Sequence, residues 1–135
     1  MTKNVGLWIN RNKAVIVSIA KSTEARRIIT SDMEHYVLYS DVVPGDGAPE
    51  DARDKRFWRH LGEYYDKIIE HIQDADRIQI FGPSVAKYEL EKHLQEKGLA
   101  SRIVSMEEVE KMTDLEIATK VQERFPVPSR FEFTK

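Results

Sequence analysis

Cysteine is absent from the 135 residues. That excludes disulfides, thiolate metal ligands and a cysteine nucleophile together. Long apolar runs are also missing. The longest are strand-sized, far below the roughly 20 residues that span a bilayer, and Met1-Thr2-Lys3-Asn4 leads into a strand without a signal-peptide core. The expected location is therefore the cytoplasm, with no membrane partner. An excess of either charge is lacking too, the formal net charge being -2. A global attraction to nucleic acid, which would need a basic excess, is excluded, and only a local basic patch could bind it. What remains is 41% hydrophobic and 33% charged, the balance of one soluble domain over residues 1–135 with a core that needs no staples.

Val5–Ile9 and Ala14–Ile19 read as two strands around the polar turn Asn10–Lys13, which makes a hairpin. Arg26–Thr30 continues as a third strand. Tyr36–Tyr39 would extend an edge strand, and residues 44–49, with two prolines and two glycines, read as a mobile loop. The first helix is expected from about Asp54 to Asp74. Phe57, Trp58, Leu61, Tyr64, Tyr65, Ile68, Ile69 and Ile72 fall within an arc of roughly 140° when projected down it. Asp76–Phe81 is a fourth strand, stopped by Gly82-Pro83. Ser84 is placed to cap a second helix that ends at Gly98. Ser101–Ser105 is a fifth strand. Thr113 and Glu116 then form a capping-box pattern for a third helix, closed by Pro126.

The element order β-β-β-α-β-α-β-α predicts an α/β domain, a ribonuclease H-like mixed five-stranded sheet with flanking helices. Its core should hold Leu7, Ile9, Val15, Val17, Leu61, Ile68, Ile72, Ile78, Ile80, Leu90, Ile117 and Val121. Trp8, Trp58, Tyr64 and Tyr65 are expected in the core or at its edge.

A nuclease on this frame needs carboxylates at the ends of the first and fourth strands to hold two metal ions. Here those ends read Asn10 and Phe81-Gly82-Pro83, so catalytic residues and metal are expected to be absent. His60 and His71 lie about three turns apart on one helix, too far to share a metal. His93 reads as a structural, hydrogen-bonded histidine. No cofactor motif is present, since Gly82–Lys87 lacks the Gly-Lys-Ser/Thr of a P-loop.

The best candidate site is the turn after the fourth strand. Gly82 and Ser84 lead into a helix start whose free N–H groups favour an anion, Lys87 adds a cation in the first turn, and Arg11 from the hairpin faces them. A lysine there opposes the helix dipole, which makes it a poor structural choice and a reasonable anion ligand, RNA phosphate included.

Gly6-Leu7-Trp8-Ile9-Asn10, Lys13–Val17, Phe81–Leu90 and Thr113-Asp114 resemble short bacterial release-factor-like "translational machinery" proteins. These are related to the central domain of archaeal and eukaryotic peptide-chain release factors and of the rescue factor Pelota. The resemblance spans nearly the whole chain. It departs where relatives read Gly-Pro-Gly-Glu-Ala-Lys and this chain has Gly82–Lys87, and where they read Asp-His and it has Asn10-Arg11. No Gly-Gly-Gln tripeptide occurs, the element with which release factors hydrolyse peptidyl-tRNA. The resemblance thus implies a non-enzymatic binding module whose partner is the ribosome or RNA. Two alternatives stay open: a ribonuclease H-like nuclease or hydrolase, and a self-associating structural protein, a homodimer paired through the edge at Tyr36–Tyr39.

Overall fold

The computed structural model describes residues 2–21, 23–31 and 50–126, without the side chains of 50–54. Its elements are β1 (Lys3–Ile9), β2 (Lys13–Ala20), β3 (Thr23–Thr30), α1 (Glu50–Ile72), β4 (Arg77–Gly82), α2 (Ala86–Glu96), β5 (Ile103–Glu108) and α3 (Asp114–Arg124). The expected edge strand at Tyr36–Tyr39, the loop at 44–49 and His35 lie outside the described residues.

The strands line up in the order β3-β2-β1-β4-β5. The meander β1-β2-β3 is antiparallel, while β4 runs parallel to β1 and β5 parallel to β4. This is the mixed five-stranded sheet that the element order predicts. Alternation along β1 separates two cores. Val5, Leu7 and Ile9 face α1 and α2, where Leu61, Ile68, Ile72 and Leu90 close over them. Trp8 faces the other way, with Val15, Val17 and Phe81 beneath Ile117 and Val121 of α3. The result is three layers, helices on both faces of the sheet, and the twelve aliphatic residues expected in the core, Leu7 to Val121, are all buried.

Local signals decide the helix ends. Thr113 Oγ1 accepts from Glu116 N–H at 3.1 Å, and Glu116 Oε1 accepts from Thr113 N–H at 2.8 Å, the reciprocal capping box. Gly98, at φ +75°, ends α2. Its N–H donates to Gln95 O and that of Leu99 to Leu94 O, the Schellman arrangement that glycine permits.

Several boundaries differ from expectation, β3 for one starting at Thr23 rather than Arg26. α1 begins at Glu50 and stops at Ile72, because its first turn carries no large apolar residue to reveal it. β5 starts at Ile103 because Ala100–Arg102 coil into a 3₁₀ turn. Arg102 holds that turn by donating to Gln73 O and Ala75 O. No helix among the described residues is long and apolar enough to cross a membrane.

Two glycines permit close approaches, one between layers and one between neighbouring strands. A Cβ on Gly6 would lie 2.4 Å from Val121 Cγ2, so glycine there lets α3 close onto β1. A Cβ on Gly82 would lie 2.1 Å from the backbone oxygen of Ile9, and backbone cannot swing aside as a side-chain tip can. Gly82→Ala is therefore expected to lower stability by roughly 3 kcal/mol, the upper part of the range for overpacking. Urea titration checks this, and a change within about 0.5 kcal/mol, the size of a neutral surface substitution, would contradict the close approach.

Candidate binding surface at the carboxyl end of the sheet

β1 and β4 lie side by side and parallel, then diverge: β1 turns back into the hairpin and β4 continues into α2. Open α/β sheets place ligands at such a switch point. Asn10 shapes the hairpin side. Its Oδ1 accepts from the N–H groups of Asn12 and Lys13, each at 2.8 Å, and its own N–H donates to Lys13 O. Tyr64 of α1 donates its hydroxyl to Asn10 O at 2.9 Å and anchors the tip.

Arg11, at that tip, reaches between α1 and α2. Its guanidinium forks onto Glu89, Nε to Oε1 at 3.1 Å and the second nitrogen to Oε2. Tyr65 donates to the same Oε1 at 2.5 Å. The guanidinium carbon also lies 5.2 Å from the Trp58 ring and 5.7 Å from the Phe57 ring, within cation–π range. Burial pushes the Glu89 carboxyl up, but the bonds from Arg11 and Tyr65 outweigh it and hold it below the ordinary value. Burial, reinforced by the bond to Glu89, pushes the Tyr65 phenol well above its usual range.

The turn after β4 is built differently from the expectation. Ser84 is exposed and does not cap α2; Val85 occupies the cap position without a side-chain bond. Ser84 contributes its carbonyl instead, which accepts from Lys87 Nζ at 2.7 Å. That ammonium also donates to Glu108 Oε1 at the end of β5, at 2.8 Å, and lies 4.7 Å from the Tyr88 ring. Lys87 is 0% exposed. Its stem packs as an apolar side chain and its head ties the turn to β5. Lysine at this place thus has a structural task, which corrects the expectation that it is a poor structural choice. Gly82, Ser84 and Lys87 come together, but Arg11 does not join them. Residues 87 and 89 project from α2 about 200° apart, so Lys87 with Glu108 and Arg11 with Glu89 occupy opposite sides of the helix.

Sequence reasoning missed a cleft between α1 and α2, about 320 Å³ in volume, with Trp58, Gly62 and Lys92 among its lining residues. Trp58 is 52% exposed, which corrects its expected place in or beside the core. It stands at the edge of the apolar stripe, over the cleft. His93 forms part of the wall, its Nδ1 3.4 Å from Asp66 Oδ1 and its ring against Tyr65, in the structural role expected of it. The signal that could have revealed the cleft is Gly62, a glycine inside an otherwise strong helix.

Among the described residues no three His, Asp or Glu side chains gather as a metal site. Glu89 and Glu108, at the carboxyl end of the sheet, are each tied to a cation. The depressed Glu89 value has a definite consequence for stability. A carboxyl whose folded value is lowered stabilises the fold above its unfolded value and loses that contribution as pH falls through the folded one. Urea titrations at descending pH should therefore find the wild type ahead of Glu89→Gln at neutral pH, with the gap narrowing below about pH 4.5, the ordinary glutamate value. A gap independent of pH would mean that the Arg11–Glu89 bond contributes no net charge stabilisation.

No family model matches this chain, and no curated protein matches it. Solved structures do. The Pelota protein of Thermoplasma acidophilum is 14% identical at a TM-score of 0.57, the match covering 90% of this chain and 32% of that one. Pelota of Archaeoglobus fulgidus is 12% identical at 0.55, covering 91% and 31%. An archaeal translation termination factor, aRF1, is 11% identical at 0.57, covering 93% and 35%. The chain spans about a third of the length of each of these proteins. Its sheet and flanking helices therefore have the fold of a domain-sized part of Pelota and of an archaeal termination factor.

Proposed function

We propose that this chain is a non-catalytic binding module of the translation machinery, contacting the ribosome or RNA in the cytoplasm without hydrolysing peptidyl-tRNA. The observation that carries the reading is the fold likeness to Pelota and aRF1 over nine-tenths or more of the chain. The resemblance in Gly6–Asn10 and Phe81–Leu90 supports it from the sequence side, and the missing Gly-Gly-Gln argues for binding rather than hydrolysis. The proposed contact surface is the carboxyl end of the sheet. There Arg11 and Ser84 are at least partly open to solvent, while Gly82 and Lys87 set the shape of the turn.

The homodimer edge expected at Tyr36–Tyr39 lies outside the described residues, and self-association through β3, an edge strand of the described sheet, has less support than the translation reading. Arg26 and Arg27 sit at its middle, and antiparallel pairing of two copies about that centre brings like charges opposite each other.

Co-sedimentation with ribosomes over about 50 to 200 mM salt tests the proposal. The protein should pellet at the low end and be released as salt rises, with Arg11→Ala released earlier while its far-UV circular dichroism matches the wild type. A protein that stays in the supernatant at the lowest salt contradicts the reading.

A further inference from the structure

We propose that the cleft between α1 and α2 binds a nucleotide unit of a single-stranded nucleic acid, its base stacked on Trp58 and its flanking phosphates held by Lys55, Arg59 and Lys92. This rests on the RNA-associated reading above but assigns the contact to a different surface from the turn at Gly82.

The first observation is the ring itself. Of the two tryptophans, Trp8 is buried and Trp58 leaves more than half its surface open. Arg11 lies against the Trp58 ring and Phe57 meets it edge-on, with centroids 5.1 Å apart. The ring is thus held in place while part of it remains uncovered at the rim of a concave site. An ordered aromatic with cations around it is the platform on which unpaired bases stack, whatever their sequence.

The second is the spacing of charge. Lys55, Trp58, Arg59 and Gly62 follow at i, i+3, i+4 and i+7, one stripe along α1 beside the cleft. Lys92 stands across from them on α2. All three cations are exposed, and none makes an ion pair or hydrogen bond among the described residues. The neighbouring carboxylates are mostly committed. Glu89 is taken by Arg11, and Asp66 faces His93 and Lys97. Lys55, Arg59 and Lys92 thus stand beside the cleft without partners among the described residues, with Glu96 the one carboxylate of its wall that no ion pair takes up there. Glu96 in the wall can accept from the exocyclic amine of a base. An apolar peptide would leave these cations and Glu96 without partners, and a phosphate-bearing strand satisfies them.

The third is Gly62. Glycine in mid-helix weakens a helix, and packing does not demand it here. A Cβ would touch only His93 Cε1, at 3.5 Å, an ordinary contact. Its effect is to leave the cleft floor bare next to Trp58. The opening of about 320 Å³ lies at the low end of ligand-sized sites, roughly 300–1,000 Å³.

The test measures fluorescence anisotropy of labelled, unstructured RNA and DNA strands of about eight nucleotides against the full chain, over about 50 to 200 mM salt. Both strands should bind if stacking and phosphate contacts suffice, and preference for RNA would identify a 2′-hydroxyl contact within the same site. The slope of log K against log salt should be near -2, from three phosphate contacts at about -0.7 each. Trp58→Ala should weaken binding about tenfold or more. Gly62→Gln, which fills the floor with a better helix former, should weaken binding while its urea midpoint stays at or above that of the wild type. Arg77→Ala, an exposed cation at the far end of β4, should change nothing. Absence of binding at the lowest salt, or wild-type affinity in Trp58→Ala, overturns the proposal. If the strands fail to bind while ribosomes still retain the protein, this assignment falls and the translation reading stands. If the strands bind and ribosomes do not retain the protein, the cleft stands and that reading falls.

Discussion

The backbone of β4 meets that of β1 so closely at Gly82 that no side chain fits between them, and much of the molecule's shape follows from that contact. It draws the carboxyl ends of the two central strands together before they part, β1 into the hairpin and β4 into α2. The hairpin tip and the start of α2 must therefore project from the same end of the sheet. Val109 extends the arrangement by donating its N–H to Gly82 O, which brings the chain after β5 to that end as well. Among the described residues, four of the six exposed large apolar side chains, Trp58, Val85, Tyr88 and Leu115, lie in the first half of a helix or at its cap. Those helix starts share the carboxyl end of the sheet. The shared direction of β3, β1, β4 and β5 thus gathers exposed apolar side chains toward the end where open sheets bind their partners.

Polar ties hold the loops at this end. Arg11, Glu89 and Tyr65 lock the hairpin to α1 and α2, and Lys87 locks the turn after β4 to Glu108 of β5. Both are charged pairs between remote segments, and each leaves one partner facing water. The charges of Lys87, Glu89 and Glu108 are thus each paired within the protein. Lys55, Arg59 and Lys92, beside the α1–α2 cleft, are among the cations that make no such pair within the described residues.

How much of this could be read from sequence depends on range. The alternation in β1, the apolar stripe of α1, the Thr113–Glu116 box and the glycine stop at Gly98 are short-range patterns, and the structure contains each of them. The start of β5 could not be read, because Arg102 is drawn into a 3₁₀ turn by carbonyls 29 and 27 residues earlier. Ser84 looked like a cap because only its residue type is visible in sequence, not the backbone that makes Val85 the cap. Lys87 looked free because Glu108 lies 21 residues on, and Arg11 looked aimed at the turn because Glu89 lies 78 residues away. Trp58 fitted the apolar stripe, and only the packing of α2 decides that the stripe's edge stays open. The site was misread wherever it depends on charge pairing between distant segments, and the fold was legible where periodicity carries it.

The central claim is that this domain binds its partner through the α1–α2 cleft. The most direct measurement is a titration of the isotope-labelled protein with unstructured single-stranded RNA, followed residue by residue in ¹H–¹⁵N correlation spectra. The account predicts that the Trp58 indole N–H and the Gly62 and Lys92 amides shift together and in proportion to added RNA, while β3 and the amino ends of β1 and β4 stay still. Shifts that gather on β3, or a Trp58 indole signal that does not move at saturation, would contradict it.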